Sequence, residues 1–238
     1  MNLSQLSEQM VRVLQLTSPP VSLAFVDQAP RGGSESSSSV PSSCAFWVKA
    51  EKQLFFAPAV LHEHCPVGVL TMGFPMSPQV TSTLHEFVAK MCNASYLGSQ
   101  EPESIPRIAH TAKGILYGPL SRFPQLPDLT LVWANGRQAM LLEEALGSVC
   151  WDALSKVQTF GRPACAALAV AVNQDRPTLS LGCSGMRTFT AVGDDKLLIS
   201  IPGSKLASLA QRLETTAGAN EIMLNFYRQH QRQFTNAV

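Results

Sequence analysis

Charged side chains are scarce in this chain of 238 residues: they make up 15% of it, against roughly 25% in an ordinary globular protein. The 18 basic and 17 acidic side chains leave a net charge of +1, and no basic stripe is visible. Binding to nucleic acid through phosphate neutralisation is therefore not expected. Hydrophobic residues reach 45%, enough to bury a large core, which excludes wholesale disorder.

Long apolar runs are also missing, and none approaches the ~20 residues of a membrane-spanning helix. The first residues, MNLSQLSEQMVRVLQL, lack the basic start, the continuous apolar stretch and the small-residue cleavage site of a signal peptide. These absences predict a cytoplasmic protein without a membrane partner.

The familiar motifs of enzyme chemistry are absent from the sequence. It contains no phosphate-binding G-x-x-x-x-G-K-[ST], no G-x-G-x-x-G after a strand, no G-x-S-x-G, no H-E-x-x-H and no C-x-x-C. Nucleotide cofactors, α/β-hydrolase chemistry, thioredoxin-type redox work and simple zinc ribbons therefore have no sequence support.

Helical and strand patterns alternate irregularly along the chain. Apolar spacing predicts helices at 2–16, 79–94, 135–149, 204–217 (capped by Ser204) and 221–234, and strands at 21–27, 53–60, 114–120, 129–134, 177–183 and 196–202; residues 165–172 fit either. The pattern predicts an α+β or α/β fold, with residues 1–238 forming a single mixed-sheet domain with flanking helices. No repeat of fixed period is visible. Residues 29–43, rich in Ser, Gly and Pro, are expected to form a long flexible loop.

Six cysteines are the most informative residues present. Four of them lie where the chain is expected to turn beside Gly, Pro or Ser: Cys44, Cys65, Cys165 and Cys183. Such turns let thiolates converge, so these four are candidate metal or cluster ligands, although the long spacing between them is a weak signal. Cys92 and Cys150 fall in or near helical stretches, which is typical of core or surface thiols.

The segment HEHCPVG adds two histidines to Cys65. His62 and His64 are two residues apart, which is wrong for one face of a helix. They are candidates for a fourth ligand, a proton donor or a neighbour of the ligands. The alternative is a surface turn in which both histidines are exposed without a role.

An ordered set of short motifs resembles a known family. These motifs are C…A…K…FFA…HEHCPVG, ESIPRI, LYGPL…PDL, NGRQAM and LSLGCSGMR…IPG. They resemble domain of unknown function family 169, a group of uncharacterised bacterial and archaeal proteins, from about Pro20 to Leu213. The resemblance implies a shared site on the same four cysteines but no known reaction. The sequence departs from the family at Ala45, where glutamine is common, and at Gly136, where proline is common.

The leading hypothesis is an iron–sulfur cluster, for example of the 4Fe–4S type, or another metal bound by Cys44, Cys65, Cys165 and Cys183. Thiolates also bind zinc and copper(I), so these ligands do not determine the identity of the metal. Such a site would support redox or cluster-assisted chemistry on a small molecule, as in an oxidoreductase.

Two alternatives remain. In the first, Cys183 is a metal-free nucleophile, with Arg187 one helical turn away and His62 or His64 as the base. In the second, the protein carries a flat hydrophobic cofactor such as a tetrapyrrole without catalysis. The aromatic residues that would line that pocket, unless they simply pack in the core, are Phe46, Trp47, Phe55, Phe56 and Phe74.

Overall fold

The computed structural model describes residues 2–30, 34–36, 38–98, 104–147, 157–160 and 162–235, which form one eight-stranded mixed sheet and eight α-helices. The strands are β1 (Val21–Val26), β2 (Ser34–Glu35), β3 (Phe55–Pro58), β4 (Gly114–Pro119), β5 (Leu129–Ala134), β6 (Gln158–Phe160), β7 (Thr178–Ser180) and β8 (Leu197–Pro202). The helices are α1 (Leu3–Leu14), α2 (Ala45–Ala50), α3 (Pro66–Thr71), α4 (Pro78–Asn93), α5 (Gly136–Leu146), α6 (Ala166–Gln174), α7 (Ser184–Thr190) and α8 (Leu206–Thr235). The predicted α+β mixed-sheet fold is confirmed.

Several helices differ from the prediction. The short helices α2, α3 and α7 were not predicted, and the ambiguous alanine-rich segment is the helix α6. The two helices expected near the C-terminus are one continuous helix, α8, and Asn220 in the expected break donates a side-chain hydrogen bond to the Thr216 carbonyl at 3.1 Å. Ser204 does not cap it but lies in a preceding 3-10 turn and donates to Asp175.

The Ser-rich segment 29–43 is not entirely a loop. Ser34 and Glu35 form β2, which pairs in parallel with β3. The next residue, Ser36, donates its N–H to the Phe56 carbonyl at 2.8 Å and continues that pairing. The flexibility expected of residues 29–43 stays a prediction.

The arrangement of the strands is symmetric about the centre of the sheet. Its strand order is β2-β3-β4-β1-β5-β8-β7-β6. Each outer pair, β2–β3 and β6–β7, is parallel, and all the inner pairs are antiparallel. The first four strands therefore form one unit and the last four a second unit, with β1 equivalent to β5, β2 to β6, β3 to β7 and β4 to β8.

Strand register confirms this equivalence residue by residue. Val21 of β1 pairs with Pro119 of β4, and Leu129 of β5 pairs with Pro202 of β8. At the junction of the units, Ser22 lies directly opposite its own equivalent, Thr130. An antiparallel pair has a local two-fold axis between opposed residues, so the approximate two-fold axis of the protein passes between Ser22 and Thr130.

The helices that follow the strands repeat in the same way. One helix lies between the second and third strand of each unit (α2 and α6), and another follows the third strand (α3 and α7). Even the turns match, since Ala45 N–H bonds to the Ser42 carbonyl as Ala166 N–H bonds to the Pro163 carbonyl. The sequence shows no repeat of fixed period because the internal repeat is one of topology and register and not of residue type.

The two faces of the sheet carry different helices. One face, with buried residues such as Leu23, Tyr117 and Leu198, packs against α2, α3, α6 and α7. The other, with residues such as Val132 and Ile199, packs against α1, α5 and α8. None of the helices in the described segments is long and apolar enough to cross a membrane. All the repeated helices, and with them the predicted cysteines, therefore share one face.

The pair Ser22 and Thr130 gives a test of the central junction. Their side-chain oxygens lie 3.1 Å apart, and both residues are fully buried. We expect Ser22→Ala or Thr130→Val to lower the free energy of unfolding by about 1–3 kcal/mol, because each leaves a buried hydroxyl without its partner. The double variant should lose less than the sum of the two. Urea unfolding measures all three, with Ser208→Ala on the exposed side of α8 as the control. Strict additivity would contradict the coupling.

Candidate functional site

Each of the four candidate cysteines immediately precedes a helix of the repeated face. Cys44 and Cys165 precede the equivalent helices α2 and α6, with nearly identical backbone angles (φ −69°, ψ −19° and φ −67°, ψ −23°). Cys65 and Cys183 precede α3 and α7. Each unit thus contributes one cysteine of each kind, and the two-fold axis relates them in pairs.

The four thiols lie close enough to influence one another's ionisation. Burial raises the pKa of Cys44 to about 12, and negative charge on Cys65 or Cys183 adds to that effect. Burial also raises the pKa of Cys165, and charge on Cys65, Cys183 or Cys44 raises it further. All four therefore belong to one electrostatic neighbourhood, in which Cys44 and Cys165 are neutral thiols at neutral pH.

Hydroxyl groups contact these thiols. The Ser42 Oγ lies 2.8 Å from the Cys44 Sγ and 3.8 Å from the Cys65 Sγ, so one hydroxyl bridges two sulfurs of the first unit. The Thr71 side chain, at the end of α3, is close enough to Cys165 of the second unit to oppose the rise of its pKa. The Thr71 hydroxyl itself donates to the carbonyl oxygens of Val67 and Gly68, at 2.9 and 3.1 Å. Thr71 of the first unit and Cys165 of the second are therefore neighbours at the site.

A glycine permits the close packing around Cys65. A Cβ added at Gly68 would lie 2.3 Å from the Ser43 Oγ and 2.9 Å from the Cys65 Sγ, distances that ordinary packing does not allow. Any larger residue at position 68 must therefore displace one of these two side chains.

The two histidines of HEHC lie in different surroundings. His62 is fully buried among the rings of Phe46, Phe74 and Tyr117, at centroid distances of 4.9, 5.3 and 6.0 Å. Its Nδ1 shares a hydrogen bond with the Ser43 Oγ at 3.1 Å, and burial lowers its pKa to about 3. His64 is exposed. The surface turn expected as the alternative therefore applies to His64 alone.

Arg187 makes contacts that stabilise the turn around it. Its guanidinium donates to the carbonyl oxygens of Leu181, Gly193 and Lys196, and pairs with Asp194 at 3.5 Å. The Cys183 sulfur accepts a hydrogen bond from the Met186 N–H at 3.4 Å. The metal-free nucleophile hypothesis required a histidine beside Cys183, whereas the side-chain hydrogen bond of His62 goes to Ser43.

The remaining candidates have ordinary surroundings. The aromatic residues proposed as a cofactor pocket pack in the core: Phe46, Trp47, Phe55, Phe56 and Phe74 are all at most 5% exposed. Cys92 lies in α4, as predicted, and its sulfur donates to the Gly98 carbonyl. Cys150 lies outside the described residues.

Metal-ion geometry and surface grooves bear on what the site can hold. Among the residues that the structure describes, no three His, Cys, Asp or Glu side chains are grouped tightly enough to hold a metal ion. Grooves of about 480 and 460 Å³ lie elsewhere, along α5 and α8, the first also bounded by α1. The four thiols are thus neighbours that do not converge on one point, with Cys44 buried and the other three partly exposed.

Sequence reasoning did not identify four residues that lie near the cysteines: Ser42, Ser43, Thr71 and Tyr117. Ser42 and Ser43 belong to a segment that reads as a loop, and Thr71 ends an unpredicted helix. Tyr117 lies in a strand whose six residues are all buried, so alternation did not mark it. Only the position of the serines directly before Cys44 could have drawn attention to them.

His62 gives a pH test of the site. Because the pKa of His62 is lowered in the folded state, the unfolded chain binds a proton there that the folded chain does not bind. The free energy of unfolding is therefore unaffected by His62 above pH 6.5 and decreases on acidification toward pH 3. At pH 5 this loss is about 2 kcal/mol. His62→Gln should remove that part of the acid dependence, and His64→Gln should retain it. Urea midpoints between pH 7.5 and pH 4 measure the difference; parallel curves for both variants would contradict the assignment.

Comparison with known proteins identifies the family. The family model described as uncharacterised ArCR, domain of unknown function family 169, matches residues 9–212. An uncharacterised protein of Methanocaldococcus jannaschii is 22% identical over 165 residues, which cover 66% of this chain and 69% of that protein. No solved structure gives a significant match. The match spans both structural units and all four cysteines of the site, and the chain therefore belongs to domain of unknown function family 169.

Proposed function

We propose that the protein binds an iron–sulfur cluster through Cys44, Cys65, Cys165 and Cys183. The observation that carries the proposal is the placement of four thiols, far apart in sequence, in one electrostatic neighbourhood. Each unit supplies two thiols, each with an equivalent in the other unit, so a bound cluster would join the units across the two-fold axis. Four thiolates are the ordinary ligand set of such clusters.

A cluster accommodates more widely spaced thiols than a single ion does. Around one tetrahedral ion with metal–sulfur bonds of about 2.3 Å, ligand sulfurs would lie within about 4 Å of one another. Ligand sulfurs around a cubane are roughly 6–7 Å apart. The Ser42 Oγ lies 2.8 Å from the Cys44 Sγ and 3.8 Å from the Cys65 Sγ, so these two sulfurs are at most 6.6 Å apart, a separation that a cubane accommodates.

The surrounding residues suit the same group. When bound, the cluster would supply one-electron redox chemistry. Ser42 would orient the sulfur of Cys44 through its hydroxyl. The buried core around Cys44 would keep water from the ligands. We place the protein in the cytoplasm, where reduced thiols persist, and infer a small molecule as the redox partner.

Anaerobic reconstitution with ferrous iron and sulfide tests the proposal. The wild-type protein should take up iron and acid-labile sulfide in equal amounts and become brown. Cys→Ser at each of the four positions should lower both contents severalfold, because each change removes one thiolate. Cys92→Ser should load as the wild type does, since Cys92 bonds to a carbonyl within its own segment.

The same experiment separates the alternatives. A colourless protein that takes up zinc or copper(I) through the same four cysteines would replace the cluster by a metal ion. A protein that takes up none of these metals would overturn the proposal. Loss of loading in Cys92→Ser, with normal loading in Cys65→Ser, would show that the ligands are assigned wrongly.

Gly68 gives an independent test that leaves every thiol in place. Gly68→Ala adds one methyl group where only the Ser43 and Cys65 side chains can give way, so we expect a severalfold loss of bound iron. Gly185→Ala is the matched control, because a Cβ there meets nothing within 4 Å. Iron analysis of both variants, with circular dichroism to check folding, measures the effect; equal loading would mean that the position of Cys65 is not critical.

A further inference from the structure

The C-terminal part of α8 extends away from the rest of the protein. Beyond Leu213 no described side chain of the helix is buried, and residues 225–234 are exposed on every side. The ion pair of Glu221 with Arg137 still ties the preceding turn to α5. A short helix without tertiary contacts is only marginally stable in water, because most helices depend on the packing of an apolar face. Packing against another molecule would therefore stabilise this part of α8.

The exposed part of α8 carries a continuous apolar face, here called the α8 ridge. Residues four positions apart lie on one side of a helix. The ridge consists of one such row, with two further residues beside it: Ile222, Phe226, His230 and Phe234, flanked by Met223 and Tyr227. Its rings already contact one another, since Phe226 stacks on His230 at an interplanar angle of 4° and the His230 centroid lies 5.0 Å from that of Phe234.

The ridge is large for a surface in contact with water. Its five apolar side chains have exposed fractions between 48% and 71%. At roughly 200 Å² for a large side chain, these fractions leave about 600 Å² of apolar surface exposed. The largest apolar patch of a monomeric protein is ordinarily about 300–600 Å², and patches at this limit mark interaction sites.

The charges around the ridge favour a second copy of the chain as its partner. The ridge contains no Asp, Glu, Lys or Arg. Arg228 and Arg232 come two residues after Phe226 and His230, which places them about 200° around the helix. Two arginines are fewer than the roughly four to eight basic residues that bind an anionic membrane surface. A two-fold interface brings a surface against its own copy, and a ridge without charge permits this without repulsion.

Two copies of the ridge also provide enough area for a specific interface. Together they would bury about 1,000 Å², which is near the lower limit for such interfaces. Rows of residues four apart interdigitate when two helices cross at roughly 50°. Because α8 packs on the sheet face opposite to the cysteines, this crossing would leave the cysteine face of each copy uncovered.

We propose that two copies of the protein form a dimer by crossing their α8 helices, ridge against ridge. The ridge lies beyond residues 9–212, the part of the chain that matches the family model. It also contains none of the four candidate cysteines. The inference therefore does not rest on the proposed function, and neither one falls with the other.

Sedimentation velocity of the full chain tests the inference. The wild type should sediment as a dimer at micromolar concentrations, with twice the chain mass of 25.7 kDa. Phe226→Glu should raise the dissociation constant by at least about tenfold, because it places a charge in the middle of an apolar interface. Arg228→Glu is the matched control: it introduces the same carboxylate on the opposite side of the helix and should leave the dimer intact.

Other outcomes overturn the inference. A wild type that remains monomeric at every concentration does so, as does a dimer that persists in Phe226→Glu. A monomer that co-sediments with vesicles of phosphatidylcholine and phosphatidylserine would show that the ridge binds lipid instead.

Photo-crosslinking keeps the inference testable if circular dichroism shows that Phe226→Glu loses helix. With p-benzoylphenylalanine at position 226, irradiation should yield a covalent dimer, because this position would face the second copy. The same group at position 228 should yield none. Equal cross-linking at both positions, or none at position 226, would mean that the ridge is not the interface.

Discussion

The antiparallel pairing of β1 with β5 is the constraint on which the rest of the structure depends. It sets Ser22 opposite Thr130 and so aligns two units of the same topology about one axis. Because strand register is fixed within each unit, this alignment also fixes where the repeated helices lie. The four cysteines before those helices meet on one face as a consequence. A one-residue slip at the junction would turn every side chain of a strand to the opposite face.

Much of the fold was predictable from local patterns, and the failures have physical reasons. Strands such as Leu129–Ala134 and the long helix α4 extend far enough to show a period. The helices α2, α3 and α7 have only six or seven residues, which is too few for periodicity to register. The repeat escaped notice because VSLAFV and LTLVWA share only apolar character, and because α4 and α5 interrupt the two units at different points.

The candidate site was likewise predictable only in part. The four cysteines could be selected from the sequence, since turn residues and the family resemblance both marked them. Their partners could not be selected, because a contact such as that of the Ser42 hydroxyl with the Cys65 sulfur joins residues that are 23 positions apart. Burial was equally invisible: adjacent letters in HEHC gave no sign that His62 lies in an aromatic box while His64 is exposed. The cluster itself remains a proposal.

Tyr117 of β4 and Ser200 of β8 occupy equivalent positions in the two units, and a single chain allows them to differ. A homodimer made of two such units would be encoded by one gene, so any change on one side of its axis would appear on the other. In a single chain each unit has its own codons, and a tyrosine on one side can coexist with a serine on the other. Joining the two units in one chain therefore allows the two halves of the site to carry different residues, while the strands keep their two-fold arrangement.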